Sequence, residues 1–269
     1  MTAPADTPAE TASPADTDAP SFAGARLLRA DFTGATLLRA KLRGATVRWS
    51  DLTGLTVREC DVDGLEIDSH DLFFGSLVVN GVDVVPLVDA ELNRRFPGRE
   101  LQSSTEPEGL RASWEAVQRA WTETVESTPP EQRDASVGGE WSLAQTLRHL
   151  VLAADAWLGA AIEERERPFH PIGQVFTGAA EMGLDTSIFR EPTDFDEILA
   201  VRAERQQRVA EALARATPEL LDEPRRNPWD PDGEWRPMVG DCLRVILEEE
   251  WAHLRCIRRD LATLRGGAE

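Results

Sequence analysis

The sequence predicts two domains of different class, a short repeat segment followed by an all-α four-helix bundle. Three observations carry this prediction. A five-residue periodicity holds its register from Phe22 to Leu77, and four stretches of helical apolar spacing follow residue 110. A connection of about two dozen residues separates the second and third of these stretches, as in bundles with one long crossover. At 269 residues and 41% hydrophobic content, the chain is long enough for two modest cores.

Residues 1–19 are Thr, Pro, Ala and Asp with little else, too poor in apolar surface to offset ordering entropy, and are expected to form a disordered tail. From residue 20, large aliphatics or phenylalanines recur every fifth position, at Phe22, Leu27, Phe32, Leu37, Leu42, Val47, Leu52 and onward in twelve units. A mostly small residue stands two positions before each, and glycines fall every ten residues, from Gly24 to Gly64. A period of five fits neither a helix nor a strand. The units Ala30-Asp31-Phe32 and Ser50-Asp51-Leu52 resemble the pentapeptide-repeat family. That resemblance implies a right-handed quadrilateral β-helix with four pentads per coil, hence three coils, whose interior is built from Leu27, Phe32, Leu37, Leu42, Leu52 and their equivalents. Asn80-Gly81 between β-branched residues signals a tight turn that would cap the solenoid, and a short helix is expected over 86–96.

The rest reads as helices. The first spans about 110–126, with Trp114, Val117, Trp121 and Val125 at helical spacing. The second opens at the capping box Ser142-x-x-Gln145 and runs to about 165. The third begins near Asp194 and is stopped by Pro218, and the fourth runs from about 238 to 265 before Gly266-Gly267. The expected limits are therefore a tail over 1–19, the repeat segment with its cap over 20–99, a linker over 100–109 and the bundle over 110–266. The long connection, 168–193, is a candidate site lid.

A net charge of −19 argues against a basic face for nucleic acid or anionic lipid. Three cysteines, Cys60, Cys242 and Cys256, are too few for a disulfide framework. With no apolar run of membrane-span length and no signal-peptide pattern, a cytoplasmic location is expected. Lys41 is the only lysine and tyrosine is absent, a composition that fits a GC-rich genome.

Chemistry concentrates in the fourth helix, where Glu249 and His253 lie one turn apart on the face that also carries Val239, Cys242, Ile246 and Ile257. A buried carboxylate needs a partner. The i, i+4 pair suits either a shared cation or a metal-free Glu–His hydrogen bond. Glu250, at the edge of the stripe, is a second carboxylate candidate. On the second helix His149 adds a third imidazole or carboxylate donor, beside the small residues Ala153, Ala156 and Ala160. His170 in the long connection either closes over the site or is an exposed loop residue, and His70 carries no assignment.

The segments Glu140-Trp141-Ser142-Leu143, Thr146-Leu147-Arg148-His149-Leu150 and Glu248-Glu249-Glu250-Trp251-Ala252-His253 resemble the DinB/YfiT-like superfamily over about 110–265. The likeness is to the branch that includes mycothiol-dependent maleylpyruvate isomerase. It implies a metal triad of His149, Glu249 and His253, with zinc as the first expectation for two imidazoles and a carboxylate, and nickel or iron compatible. It further implies a small thiol such as mycothiol as cosubstrate, in S-transfer or isomerisation. The expected partners are a small-molecule substrate and that thiol, with no nucleic acid and no membrane, while the repeat segment braces the bundle or mediates homodimerisation. Two other classes stay open. One is a non-catalytic metal-binding or interaction module; the other, weaker for so short a rod, is a DNA-mimicking pentapeptide-repeat protein.

Overall fold

The computed structural model describes residues 21–69, 72–192, 194–230 and 232–266. The tail expected over 1–19 and His70 lie outside the described residues. The chain divides into two compact units between Leu65 and Glu66.

In the first unit the repeat is expressed as turns. The N–H of Ala25, Ala35, Ala45, Leu55 and Leu65 donates to the carbonyl three residues earlier at 2.9–3.0 Å. Each turn places a glycine at its third position with φ between 70° and 77°, the geometry of a type II turn. In the alternate pentads Arg29, Arg39, Trp49 and Glu59 take φ of 49–55°, so the backbone enters the left-handed region every five residues. Asp31 and Asp51 fix two of the turns by accepting from the N–H of Thr33 and Thr53.

The five-residue register is therefore real, but the closed three-coil β-helix with a buried interior is not what the described residues form. Leu27, Phe32, Leu37, Leu42 and Leu52 are 51–63% exposed, and no residue of 21–69 lies in a strand. The pentad at Leu72 becomes a 3₁₀ turn, Leu72–Phe74, and the one at Leu77 leads into a hairpin, so the register ends at Ile67 after ten units.

That hairpin pairs β1 (Val78–Val79) with β2 (Val82–Asp83) through Asn80 and Gly81, both with positive φ as a type I′ turn requires. The helix α1 (Val85–Arg95) follows, one residue earlier at each end than the 86–96 expected. Both elements group with the helical unit, so the contact boundary falls well before the expected limit at residue 99. Within 100–109, the residues expected as a linker, Glu100, Ser103, Thr105, Glu106 and Glu108 are exposed, and Pro107 is buried where it opens the next helix. At Gly98, φ is 96°, and a Cβ there would stand 2.4 Å from that of Ala116, so only glycine allows the chain to approach the next helix so closely.

The bundle is built from α2 (Pro107–Glu126), α3 (Leu143–Ala154), α4 (Phe195–Arg215) and α6 (Val239–Gly266), with the one-turn helix α5 (Pro218–Leu221) between the last two. Helix α3 packs on α4 and α6, and α2 packs on the same two. The capping box forms as expected: Ser142 Oγ accepts from Gln145 N, while Gln145 Oε1 accepts from Ser142 N. After Ala154 the helix widens into a π turn, Asp155–Ile162. The core is Leu110, Val117 and Trp121 of α2 against Leu147 and Leu150 of α3 and Ile246, Leu247 and Leu254 of α6, each 2% exposed or less. Burial of each such side chain contributes about 1.5–3 kcal/mol. No helix among the described residues is long and apolar enough to cross a membrane.

Candidate metal centre

Helix α6 presents Glu249 and His253 one turn apart, and α3 brings His149 to them. Glu249 Oε2 stands 3.4 Å from His149 Nε2 and 3.1 Å from His253 Nε2. The three donor atoms all lie within 4.8 Å of one another. Among the described residues no other group of three His, Cys, Asp or Glu side chains converges in this way.

These residues fit a divalent cation. Bonds of about 2.0–2.2 Å would space neighbouring donors about 2.8–3.6 Å apart, and both measured carboxylate–imidazole distances fall in that range. The imidazoles are about one-tenth exposed and the Glu249 side chain one-third, so the cluster opens to solvent on the carboxylate side. Burial alone would raise the Glu249 carboxyl. Hydrogen bonds and charge from the two imidazoles outweigh it and hold the group well below the usual range, so the site keeps an anion at its centre.

The imidazoles are oriented from outside. His149 Nδ1 faces the Gln174 carbonyl at 3.3 Å, the kind of outer partner that leaves Nε2 free to ligate. The Trp141 ring lies 4.6 Å from His149 and 5.9 Å from His253, stacked on the latter. Phe176 meets His149 edge-on at 6.3 Å. An aromatic wall thus covers the site on one side. Trp141 was visible in the sequence only as part of a family motif; its position next to the helix cap is what brings it over both rings.

Arg148 is 5% exposed. Its Nε donates to the Ile172 carbonyl at 2.8 Å, and its Nη atoms donate to the Glu191 carboxylate and the Arg190 carbonyl. The Gln174 N–H returns a bond to the Arg148 carbonyl. The Arg148 side chain therefore pins both limbs of the long connection to α3, while its main-chain carbonyl, through the Gln174 N–H, sets the Gln174 carbonyl against His149.

His170 does not join the cluster. Its backbone N–H donates to Asp155 Oδ2, and its Nδ1 accepts from Ile172 N, so its role is internal to the connection. Burial and the neighbouring Arg205 lower its basicity. Asp155, fully buried, also accepts from Arg205 Nε at 2.8 Å at the start of the π turn. Burial nevertheless pushes its carboxyl up.

Glu250 does not join the cluster. It is more buried than Glu249, at 2% exposed, and its Oε2 accepts from Arg202 Nη2 of α4 at 2.6 Å. Arg255 ion-pairs with Asp68. Ala156 is packed into the core rather than lining an open stripe, and Ala153 is buried too. Cys242 is fully buried, and its thiol is pushed up to about 12.

Eight copies of the pentapeptide repeat match over residues 21–54. Neither the curated proteins nor the solved structures contain a match to the chain. The DinB superfamily model matches residues 113–257, more than half of the chain, a span that includes all three donors, and the chain therefore belongs to the DinB superfamily.

Proposed function

We propose that His149, Glu249 and His253 hold one divalent cation, zinc being the first choice for this donor set, and that the protein uses it to activate a small thiol. The observation that carries the reading is a carboxylate within 3.1–3.4 Å of two imidazoles on separate helices, open on one side. Three protein donors leave at least one coordination position, the mark of a catalytic rather than a closed structural site. A cation bound there lowers the pKa of a ligated thiol, which makes thiolate available at neutral pH.

The chain's own residues supply the setting. Trp141 and Phe176 wall the imidazoles and restrict water, and the Gln174 carbonyl fixes the His149 ring. Arg148 holds the connection over α3, and the electrophile enters beneath it. The branch resemblance favours mycothiol as the thiol, with S-transfer or isomerisation as the reaction.

The test is to incubate metal-loaded protein with mycothiol or a simpler thiol and a panel of haloarenes, epoxides and maleylpyruvate. Turnover that requires both metal and thiol, and is lost in His253→Ala, supports the proposal. Metal-loaded protein that neither binds thiol by calorimetry nor turns over any electrophile would favour a non-catalytic metal-binding module.

A further inference from the structure

Trp251 lies between Glu249 and His253 in sequence, but at about 100° per residue it faces the opposite side of α6. There it meets α2, where its Nε1 donates to Ser113 Oγ at 3.0 Å. Between the end of α1, α2 and α6 lies an open cavity of about 240 Å³, lined in part by Phe96, Ala120 and Trp251. The cation centre, between α3 and α6, does not use it.

The buried side of this cavity is apolar and its mouth is charged. Trp251 is buried and Phe96 and Ala120 half-buried, whereas Arg119 and Glu123 are exposed. The Phe96 and Trp251 rings meet edge to face at 6.5 Å, and with its N–H committed to Ser113 the indole offers only carbon to the cavity. Arg258 stands over the Phe96 ring at 5.9 Å. Its Nε donates to Thr124 Oγ1 and its Nη2 to the Ala120 carbonyl, both at 3.0 Å, which fixes the guanidinium and leaves Nη1 to a ligand. Glu123 Oε2 is 3.6 Å from Nη2, beyond hydrogen-bond reach, on a side chain 76% exposed. Arg119 has no hydrogen-bond or ion-pair partner among the described residues. Two guanidinium groups against one carboxylate give the mouth a net charge of +1 in a chain whose total is −19.

We propose that this cavity binds a small aryl carboxylate, with its ring against Phe96 and Trp251 and its carboxylate between Arg119 and Arg258. An apolar cavity of about 150 Å³ holds one benzene ring, so the volume here takes a single ring with its carboxylate and is too small for a nucleotide. Aromatic walls favour a flat apolar body in stacked or edge-on contact. Guanidinium groups at the mouth pair with a planar carboxylate. A bare inorganic anion would leave the aromatic walls wet, a cationic ring would be repelled, and a neutral ring would leave both guanidinium groups unpaired. The site is independent of the cation centre and of the thiol reading.

Saturation-transfer NMR on the full chain, titrated with benzoate, tests the site. The native chain is expected to bind benzoate saturably, with the same affinity whether loaded with zinc or treated with a chelator. Benzyl alcohol and benzylammonium are expected to bind severalfold more weakly. Arg119→Glu turns the net charge of the mouth negative, and Ala120→Leu fills the cavity from a helical position that leucine suits. Each is expected to lose saturable binding. Arg119 is exposed, so its replacement keeps the fold, which circular dichroism checks for both variants. A native chain that binds no benzoate, benzyl alcohol bound as tightly as benzoate, or binding that survives in either variant would overturn the proposal. So would binding that requires zinc, which would place the benzoate on the cation instead.

Discussion

Glu249 Oε2 lies 3.1 Å from His253 Nε2, one turn along the same helix, and the same oxygen meets His149 at 3.4 Å from across the bundle. One carboxylate oxygen therefore bridges α3 and α6. Replacing Glu249 with Gln keeps the size and removes the charge. Its divalent-cation affinity is expected to fall by more than the about 10- to 100-fold typical of a change outside the ligand shell, as read by competition with a chromophoric chelator.

Glu250 separates the two acidic neighbours functionally. Arg202 and Glu250 form an ion pair whose side chains are 4% and 3% exposed, with the guanidinium also over the Trp121 ring at 5.5 Å. Glu250→Ala leaves Arg202 buried and unpaired and is expected to destabilise the fold by about 3–5 kcal/mol, while the double replacement of both residues by Met recovers most of that loss. Urea unfolding checks both values. Metal content in Glu250→Gln should match the native protein, the reverse of Glu249→Gln.

The contrast marks what the sequence could and could not reveal. Helical spacing was enough to place Glu249 and His253 on one face and the capping box at Ser142, because both are local patterns. The burial of Glu250 depends on Arg202, an arginine on another helix with no local signature. Arg148 was unreadable for the same reason, since its partners Ile172, Arg190 and Glu191 lie in an irregular connection. In the repeat segment the register was legible from Phe22 onward, whereas its burial was not. Periodicity tells which residues share a face and leaves open what covers that face.

Arg148 is expected to control the long connection. Arg148→Met removes bonds to the Ile172 and Arg190 carbonyls and to Glu191, and a loss of about 2 kcal/mol follows from charge-assisted bonds of this kind. Hydrogen exchange should accelerate across residues 170–191 with little change in α2 or α6. Metal affinity should change little, because the Gln174 N–H bond to the Arg148 main-chain carbonyl survives the substitution.

The cysteines give a pH test. Cys242 is fully buried with its thiol pushed up to about 12, and burial raises Cys256 as well, whereas Cys60 is exposed. In the native protein iodoacetamide should modify Cys60 and spare Cys242. Raising the pH from 7 to about 9.5 should leave Cys242 unmodified, because its thiolate forms only near the shifted value. Peptide mapping by mass spectrometry reads each site, and denaturant should expose all three.

Elemental analysis of the purified protein beside His149→Ala addresses the cation site most directly, with cobalt substitution as its spectroscopic counterpart. The native chain is predicted to hold one divalent cation per chain and, with cobalt, to show ligand-field bands of low symmetry. His149→Ala is predicted to lose both while keeping its helical circular dichroism. Trace metal in the native protein after incubation with zinc, nickel or iron, or equal metal in the native protein and His149→Ala, would contradict it.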